Sequence, residues 1–304
     1  MPIHHVTLRQ LKVFEAAARN QSFSRAAEEL HLTQPGVSMQ IKELETSAGM
    51  PLFERIGKGM HITEAGRELL RHTHEILRAL KDAQDTLDAL KGLQGGHLNL
   101  GVTSTAKYFA PQLLARFRKL HPALHFRLAV SNREAVIEQL ARNEVDLAIM
   151  GRPPEGLATV ADPFAPHPFV IIAAPDHPLA GRRRIAVAKL ADETFLVREQ
   201  GSGTRSAMQH FVDEHGLAIR VGMEMTSNET IKQAVMAGIG VSFLSRHTIG
   251  LELESAKLVI LDVRGLPEMR RWFVVHLAAK RLSPTALAFK DFVLKHGRDV
   301  LRNI

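Results

Sequence analysis

The 304-residue chain contains no cysteine. That absence excludes disulfides, thiol nucleophiles, thiolate metal sites and cysteine-based redox sensing together. Long apolar runs are missing too, although 45% of the residues are hydrophobic. No stretch is long enough to span a bilayer, so no membrane partner is expected. The start, MPIHHVTLRQLKVFE, lacks the basic-then-apolar pattern of a secretory signal. A soluble, cytoplasmic protein of two or three domains is expected. Catalytic signatures are absent as well: no G-x-S-x-G, no H-E-x-x-H, no Walker A loop and no evident carboxylate pair. A non-enzyme without catalytic residues is the reading. There are 16 histidines, but His72 and His74, two apart on a helical stretch, point in different directions. No metal site is expected.

A net basic excess is also missing where a nucleic acid would need it. The net charge is +7, yet residues 1–91 hold 12 Lys+Arg against 12 Asp+Glu. The whole excess lies in residues 92–304, with 27 against 20. If the N-terminal part binds DNA, it does so by placing a few basic groups, not by bulk charge. The C-terminal excess suits an anionic small molecule.

What is present begins with three short helices over residues 7–48. TLRQLKVFEAAAR puts Leu8, Leu11, Phe14 and Ala18 on one side. SFSRAAEEL starts from a serine cap. HLTQPGVSMQIKELE follows after a tight turn, with Thr33 as cap and Pro35 in the first turn. Val37, Ile41 and Leu44 share its inner face. Gln34, Pro35, Ser38, Met39 and Lys42 lie outside on a face with little charge. Two helices joined this tightly form a helix-turn-helix. Residues 49–63 are glycine-rich and read as a short β-hairpin, or wing.

Residues 64–91 read as one long helix. Leu69, Thr73, Ile76, Leu80, Ala83, Leu87 and Leu90 step by 4, 3, 4, 3, 4, 3, a coiled-coil seam with one polar position. The seam packs either on its own domain or on a partner helix; its length favours a second copy of the chain. From 97 the pattern changes to short apolar strands alternating with helices, hence parallel sheet covered by helices. Two similar α/β halves with crossing segments suggest two lobes and a cleft.

TLRQLKVFEAAARNQSFSRAAEELHLTQPGVSMQIKELE, with LFER and ITEAG after it, closely resembles the DNA-binding module of LysR-type transcriptional regulators. The resemblance covers essentially the whole chain. It implies an α/β protein with an N-terminal all-α winged helix-turn-helix (1–63), a linker and dimerisation helix (64–92) and a two-lobed effector domain like a periplasmic binding protein (93–304). Lobe I would hold about 97–165 and 268–304, and lobe II about 166–267. GVTSTAKYFAPQLLARF, VDLAIMGRPP, FLVREQGSGTR, SNETIKQAVMAGIGVSFLS and AKRLSP look like the branch that activates carbon-fixation (RuBisCO operon) genes. A sister branch controlling inorganic-carbon uptake is similar. The different-class alternative is a solute receptor or an enzyme built on the two-lobed domain.

Site expectations follow. Gln34 suits paired bonds to adenine, Ser38 either bonding role, and Pro35 a thymine methyl. Gln34 could equally serve as a capping group. Thr33, Met39 and Lys42 complete the face; many relatives carry arginine where this chain has Met39. Arg25, Arg55 and Lys58 are phosphate candidates, Arg55 alternatively an ion-pair partner of Glu54. Ligands of open α/β sheets sit beyond strand ends. Thr103, Ser104, Thr105 and Lys107 follow one strand; Gly151 and Arg152 another. Gln200, Ser202, Gly203 and Thr204 follow a third, leading into a helix N-terminus suited to anions, and Asn228 and Glu229 a fourth. The bland alternative is capping and turn residues only. The resemblance implies a small-molecule effector such as NADPH, a sugar bisphosphate or phosphoenolpyruvate, and no tightly held cofactor. It also implies promoter DNA, a homodimer or homotetramer, and RNA polymerase as partners.

Overall fold

The structure, a computed structural model, describes residues 6–56, 59–90 and 96–302. The chain divides into two compact units, Met1–Asp85 and Thr86–Ile304. In the first, α1 (Leu8–Asn20), α2 (Phe23–Glu29) and α3 (Gln34–Ala48) enclose a small core. Each helix has its own start signal. Thr7 and Gln10 form a capping box on α1, Ser22 caps α2, and Thr33 caps α3 with Pro35 in the first turn. Phe14, Ala17, Ala26, Val37, Ile41 and Leu44 bury almost completely against one another. β1 (Phe53–Ile56) and β2 (Gly59–Ile62) pair antiparallel as a hairpin. It is held by Glu45 of α3, whose carboxylate accepts from the backbone amides of Leu52 and Phe53 at 2.8 and 3.2 Å.

The long helix α4 (Glu64–Leu90) begins beneath the hairpin. Gly66 is required there: a Cβ would stand 2.3 Å from the Leu52 carbonyl oxygen. Along the expected seam Leu69 packs on the N-terminal core and Thr73 is buried. Ile76, Leu80, Ala83 and Leu87 are exposed. The side chain of Leu90 lies outside the described residues, as does Lys58 between the hairpin strands.

In the second unit a seven-stranded sheet runs in the order β10-β6-β11-β5-β3-β4, with β9 also on β6. Its members are β3 (His97–Thr103), β4 (His125–Ser131), β5 (Leu147–Met150), β6 (Thr159–Ala173), β9 (Ser242–Ser245), β10 (Val259–Ile260) and β11 (Glu268–Leu277). β3 pairs parallel with β4 and β5. A separate pair, β7 (Thr194–Arg198) and β8 (Arg220–Met225), is also parallel. Helices α5 (Ala110–Leu120), α6 (Arg133–Ala141), α7 (Gly203–Glu214), α8 (Asn228–Met236), α9 (Gly250–Glu254) and α10 (Pro284–Leu301) complete the unit.

The long antiparallel pair β6 and β11 stitches the unit together. Val274 and Ile149 are register partners at one end, and Val170 and Leu244 at the other. Two cores flank the crossing. Leu98, Phe109, Phe117, Trp272 and Phe289 fill one lobe; Phe169, Phe195, Phe211 and Phe243 fill the other. The sequence reading missed the first half of β6, which carries Pro163, Pro166 and Pro168, and the short α9. In KLVILDV, Val259–Ile260 forms a strand and Val263 an isolated parallel bridge with Ile185.

Candidate functional site

Two surfaces stand out, one in each unit. On the first, Thr33, Gln34, Pro35, Met39 and Lys42 are exposed and Ser38 half-buried, while Val37, Ile41 and Leu44 anchor the opposite side of α3. Met39 is 56% exposed, a large apolar side chain shown to water in the middle of a polar face. Arg25 near the start of α2 and Arg55 on the hairpin are exposed as well. Neither pairs with a carboxylate among the described residues, so Arg55 is free of the alternative ion pair with Glu54. Polar contacts also tie the three helices to one another. Gln10 of α1 donates to the Glu43 carboxylate of α3 at 3.0 Å, and Arg19 ties α1 to Glu29 of α2 at 2.5 Å.

The second surface is a cleft of about 210 Å³ between the two lobes. Thr103, Ser104 and Thr105 line it from the end of β3, and Gly151 and Arg152 from the end of β5. Ser202, Gly203 and Thr204 line it from the start of α7, where Ser202 caps the helix. These eight are among the residues expected from strand ends. Gly201 lies beside them in a left-handed turn (φ 78°), pressed so closely on Glu134 that a Cβ would stand 2.4 Å from its carboxylate oxygen.

Four expected residues are placed elsewhere. Gln200 is exposed in the turn before Gly201. Lys107 lies beside Tyr108 and pairs with Glu229 at 3.7 Å. Glu229 also accepts from the Tyr108 hydroxyl and pairs with Lys232 at 3.0 Å. Burial opposes ionisation of Glu229, but these partners hold its carboxyl below the ordinary range. Asn228 is buried, its carbonyl oxygen accepting from Arg198 at 2.6 Å. Lys107 and Tyr108 of one lobe meet Glu229 of the other outside the lining of the cleft, while Asn228 is tied to Arg198 with its amide nitrogen unpaired.

Other bridges cross nearby. The Thr105 and Thr204 hydroxyls meet at 3.3 Å, and the Glu134 amide donates to the Gly201 carbonyl at 3.3 Å. Arg198 donates to Ser104 at 3.1 Å while its guanidinium is held by Glu199 at 2.7 Å.

The cleft also contains cations and rings that the sequence did not disclose. Arg133, the first residue of α6, is half-buried and donates only to backbone carbonyls, those of Arg152 and Pro153 at 3.4 and 3.0 Å. No carboxylate pairs with it among the described residues. Burial, and then the neighbouring Arg152 charge, lower its pKa. Arg152 itself pairs with Glu155, and Arg270 with Glu268 at 2.7 Å. The N-termini of α6 and α7 both open here, so backbone N–H groups add to the positive potential. Uncompensated positive charge, hydroxyls and helix N-termini together suit a small anion. No group of three or more His, Asp or Glu able to hold a metal ion occurs among the described residues, and none of their helices is long and apolar enough to cross a membrane.

Comparison with known proteins places both surfaces in one family. Residues 8–67 match the bacterial regulatory helix-turn-helix of the lysR family, and residues 91–298 the LysR substrate binding domain. A RuBisCO operon transcriptional regulator from Allochromatium vinosum is 53% identical, covering 96% of this chain and 97% of that protein. The activator CmpR from Synechocystis is 41% identical, with 97% of each chain covered. Among solved structures, the Synechocystis CcmR regulatory domain in complex with 2-PG is 43% identical with a TM-score of 0.64 over 66% of this chain and 96% of that one. A full-length OxyR variant from Pseudomonas aeruginosa, 23% identical with a TM-score of 0.74 over 98% and 97%, shares the fold.

Proposed function

The chain belongs to the LysR family of DNA-binding transcriptional regulators, and from that premise we propose that it activates carbon-fixation (RuBisCO operon) genes in response to a small anionic metabolite. The observation that carries the gene class is the 53% identity to a RuBisCO operon regulator along nearly the whole of both chains. The cleft supports the ligand class. Its volume of about 210 Å³ falls below the range for drug-sized ligands, roughly 300–1,000 Å³. A phosphorylated acid fits that space better than a nicotinamide dinucleotide. The relative crystallised with 2-PG makes that compound the first to test.

DNA is read by the exposed face of α3. Gln34 and Ser38 address base edges, Pro35 and Met39 offer apolar contact, Thr33 sits at the helix start, and Lys42, Arg25 and Arg55 meet phosphates. So few phosphate contacts per module make a single copy weak. The exposed stripe Ile76, Leu80, Ala83, Leu87 on α4 supplies the remedy, a coiled-coil seam with a second copy. Two such pairs form the working tetramer. Ligand in the cleft changes the angle between the lobes, re-spaces the modules and alters DNA bending and access for RNA polymerase. It does so only as far as it binds the two arrangements differently.

The test is a gel shift with the promoter of the RuBisCO operon beside the promoter of inorganic-carbon uptake genes, each with and without 2-PG. Tighter, ligand-modulated binding to the first supports the reading. Preference for the second would assign the chain to the uptake branch, which the 41% identity to CmpR keeps as its rival.

A further inference from the structure

The chain passes between the two lobe cores twice. Phe164 of β6 lies in the first core and Phe169 in the second; Val263 lies in the second, and Trp272 of β11 is back in the first. Two strand crossings make a hinge, so the angle between the lobes depends on the non-covalent contacts that join them.

One cluster of those contacts lies away from the cleft and centres on Tyr108, the one tyrosine of the chain. Its hydroxyl, from the first lobe, donates to Glu229 of the second. Burial, then that carboxylate, push the hydroxyl's pKa up, so it stays a donor. Lys107 pairs with the same carboxylate at 3.7 Å. The ring faces Lys232 of α8, whose ammonium stands 4.9 Å from its centroid. Lys232 is 3% exposed. Within the second lobe its charge is held by Glu252 at 2.8 Å, Glu229 at 3.0 Å and the Thr248 carbonyl at 3.0 Å. The Tyr108 ring adds cover from the first lobe, and a cation over a ring gains most where water is excluded.

These groups would lose their partners together. Turning the first lobe away strips Lys232 of the ring and Glu229 of both the hydroxyl and Lys107. Such a set favours two arrangements, joined or parted, over a graded series. The cluster borders a second cavity of about 320 Å³, which shares no lining residue with the cleft. Its members can therefore be altered without removing any residue that lines the cleft.

We infer that Lys107, Tyr108, Glu229 and Lys232 form a latch that holds the lobes in the narrow arrangement and so sets how tightly the cleft binds its ligand. The inference rests on the cleft being the effector site and adds what positions its two walls. With the latch joined, Thr103–Thr105 and Arg133 stand across from Ser202–Thr204 around a cleft of about 210 Å³. With it parted, the walls separate and a small anion cannot meet both. Apparent affinity falls with the fraction of chains whose walls are together. Tyr108 and Glu229 are thus positioning residues, acting on the ligand through the lobes that carry its contacts.

Full-length wild type, Tyr108→Phe, Tyr108→Leu and Glu229→Gln are titrated with 2-PG by calorimetry. Phenylalanine removes the hydroxyl and keeps the ring over Lys232; leucine removes both. Glutamine keeps an acceptor for the hydroxyl and removes the charge. The lost bond predicts 2-PG binding weakened about three-fold in Tyr108→Phe, and loss of the ring as well about ten-fold in Tyr108→Leu. Glu229→Gln falls between them. Arg142→Gln cuts ion pairs to Glu138 and Glu144 inside the first lobe and leaves 2-PG binding within about two-fold.

The cysteine-free sequence allows a second readout that needs no ligand. Glu138→Cys on α6 and His210→Cys on α7, both exposed positions, take spin labels with no competing thiol. With labelled chains diluted in unlabelled ones, the distance between the labels follows the lobes. Tyr108→Leu should add a population of longer distances, which 2-PG depletes; Tyr108→Phe carries the test if the leucine variant does not fold. Unchanged 2-PG affinity or unchanged distances in folded variants overturns the inference, even where the melting temperature falls, since a merely structural cluster would move that alone. Tighter 2-PG binding overturns it too, for the contact would then oppose the ligand. If wild type ignores 2-PG the effector reading fails, and the distances alone decide the latch.

Discussion

The outer face of α3 and the interlobe cleft present opposite physics. The first is exposed, continuous in sequence and nearly uncharged; the second is half-buried, assembled from six segments and rich in arginine. Each suits its target. Base edges present hydrogen-bonding groups and methyls, so a reader needs amides, hydroxyls and apolar groups on a rigid support, with phosphate contacts only to position it. A small anion in water already has a full hydration shell. Capturing it requires charge whose own solvation has been stripped, as burial has done to Arg133. The contrast also explains why the net charge of the chain misleads: the end without net charge is the one that meets DNA.

The contrast can be broken in graded steps. The largest effect is expected from Phe14→Ala in the N-terminal core, where Phe14 is fully buried. It should cost about 3–5 kcal/mol, abolishing DNA binding while ligand binding in the cleft persists. Thermal melts monitored with and without 2-PG separate the two. Next comes acid. Burial, and then Arg246, depress the pKa of His247 to about 4, and His167 moves in the same direction. A histidine with a depressed folded-state pKa binds protons more readily when unfolded. Its contribution is therefore present above the unfolded value and lost as pH falls through the folded one. At about 1.4 kcal/mol per pH unit, His247 alone removes roughly 3 kcal/mol between pH 6.5 and 4. Chemical denaturation of the C-terminal unit across that window should show it; a flat profile contradicts the buried, neutral pair.

Arg133→Met should weaken 2-PG binding by about 2–3 kcal/mol, the low end of truncating a buried charge contact, measured by calorimetry. Gln34→Ala should reduce specific DNA binding by about 1–3 kcal/mol with little change on random DNA. A loss of equal size on both would reassign Gln34 to capping or backbone contact. The smallest effect belongs to Arg55→Ala: a slight, sequence-independent loss that lowers the salt dependence of binding by about one unit of slope.

How much of this was legible depends on locality. The α3 face was readable because its evidence sits within one helix: a cap, an early proline and an i, i+4, i+7 apolar stripe. The hydroxyl clusters Thr103–Thr105 and Ser202–Thr204 were readable because strand ends mark them. Arg133 was hidden because a basic residue at the start of a helix usually faces water, and only the burial around it makes it a site. His167 and Arg270 were hidden by their strand. Pro163, Pro166 and Pro168 read as loop, since proline cannot donate to a ladder. In the fold they precede the stretch Phe169–Ala173 where β9 and β10 also pair with β6, and here β11 is the one strand paired with β6 among the described residues. A missing N–H need not break a ladder at such a place. Lys107 and Glu229 were assigned to the cleft because a charge near a strand end looks available. Their mutual pairing, with Tyr108 and Lys232, depends on which groups folding brings together across the lobes.

If charge in the cleft governs what the DNA modules do, ligand must change the bend of bound DNA through Arg133. A fluorescent RuBisCO-promoter fragment is bound by the full-length protein and titrated with 2-PG, the DNA bend being followed by energy transfer between its ends, for wild type and for Arg133→Met. Wild type should show a saturable, ligand-dependent change in bend that moves to much higher 2-PG concentration in the variant. Identical titrations in the two proteins, or no ligand effect in wild type, would contradict it.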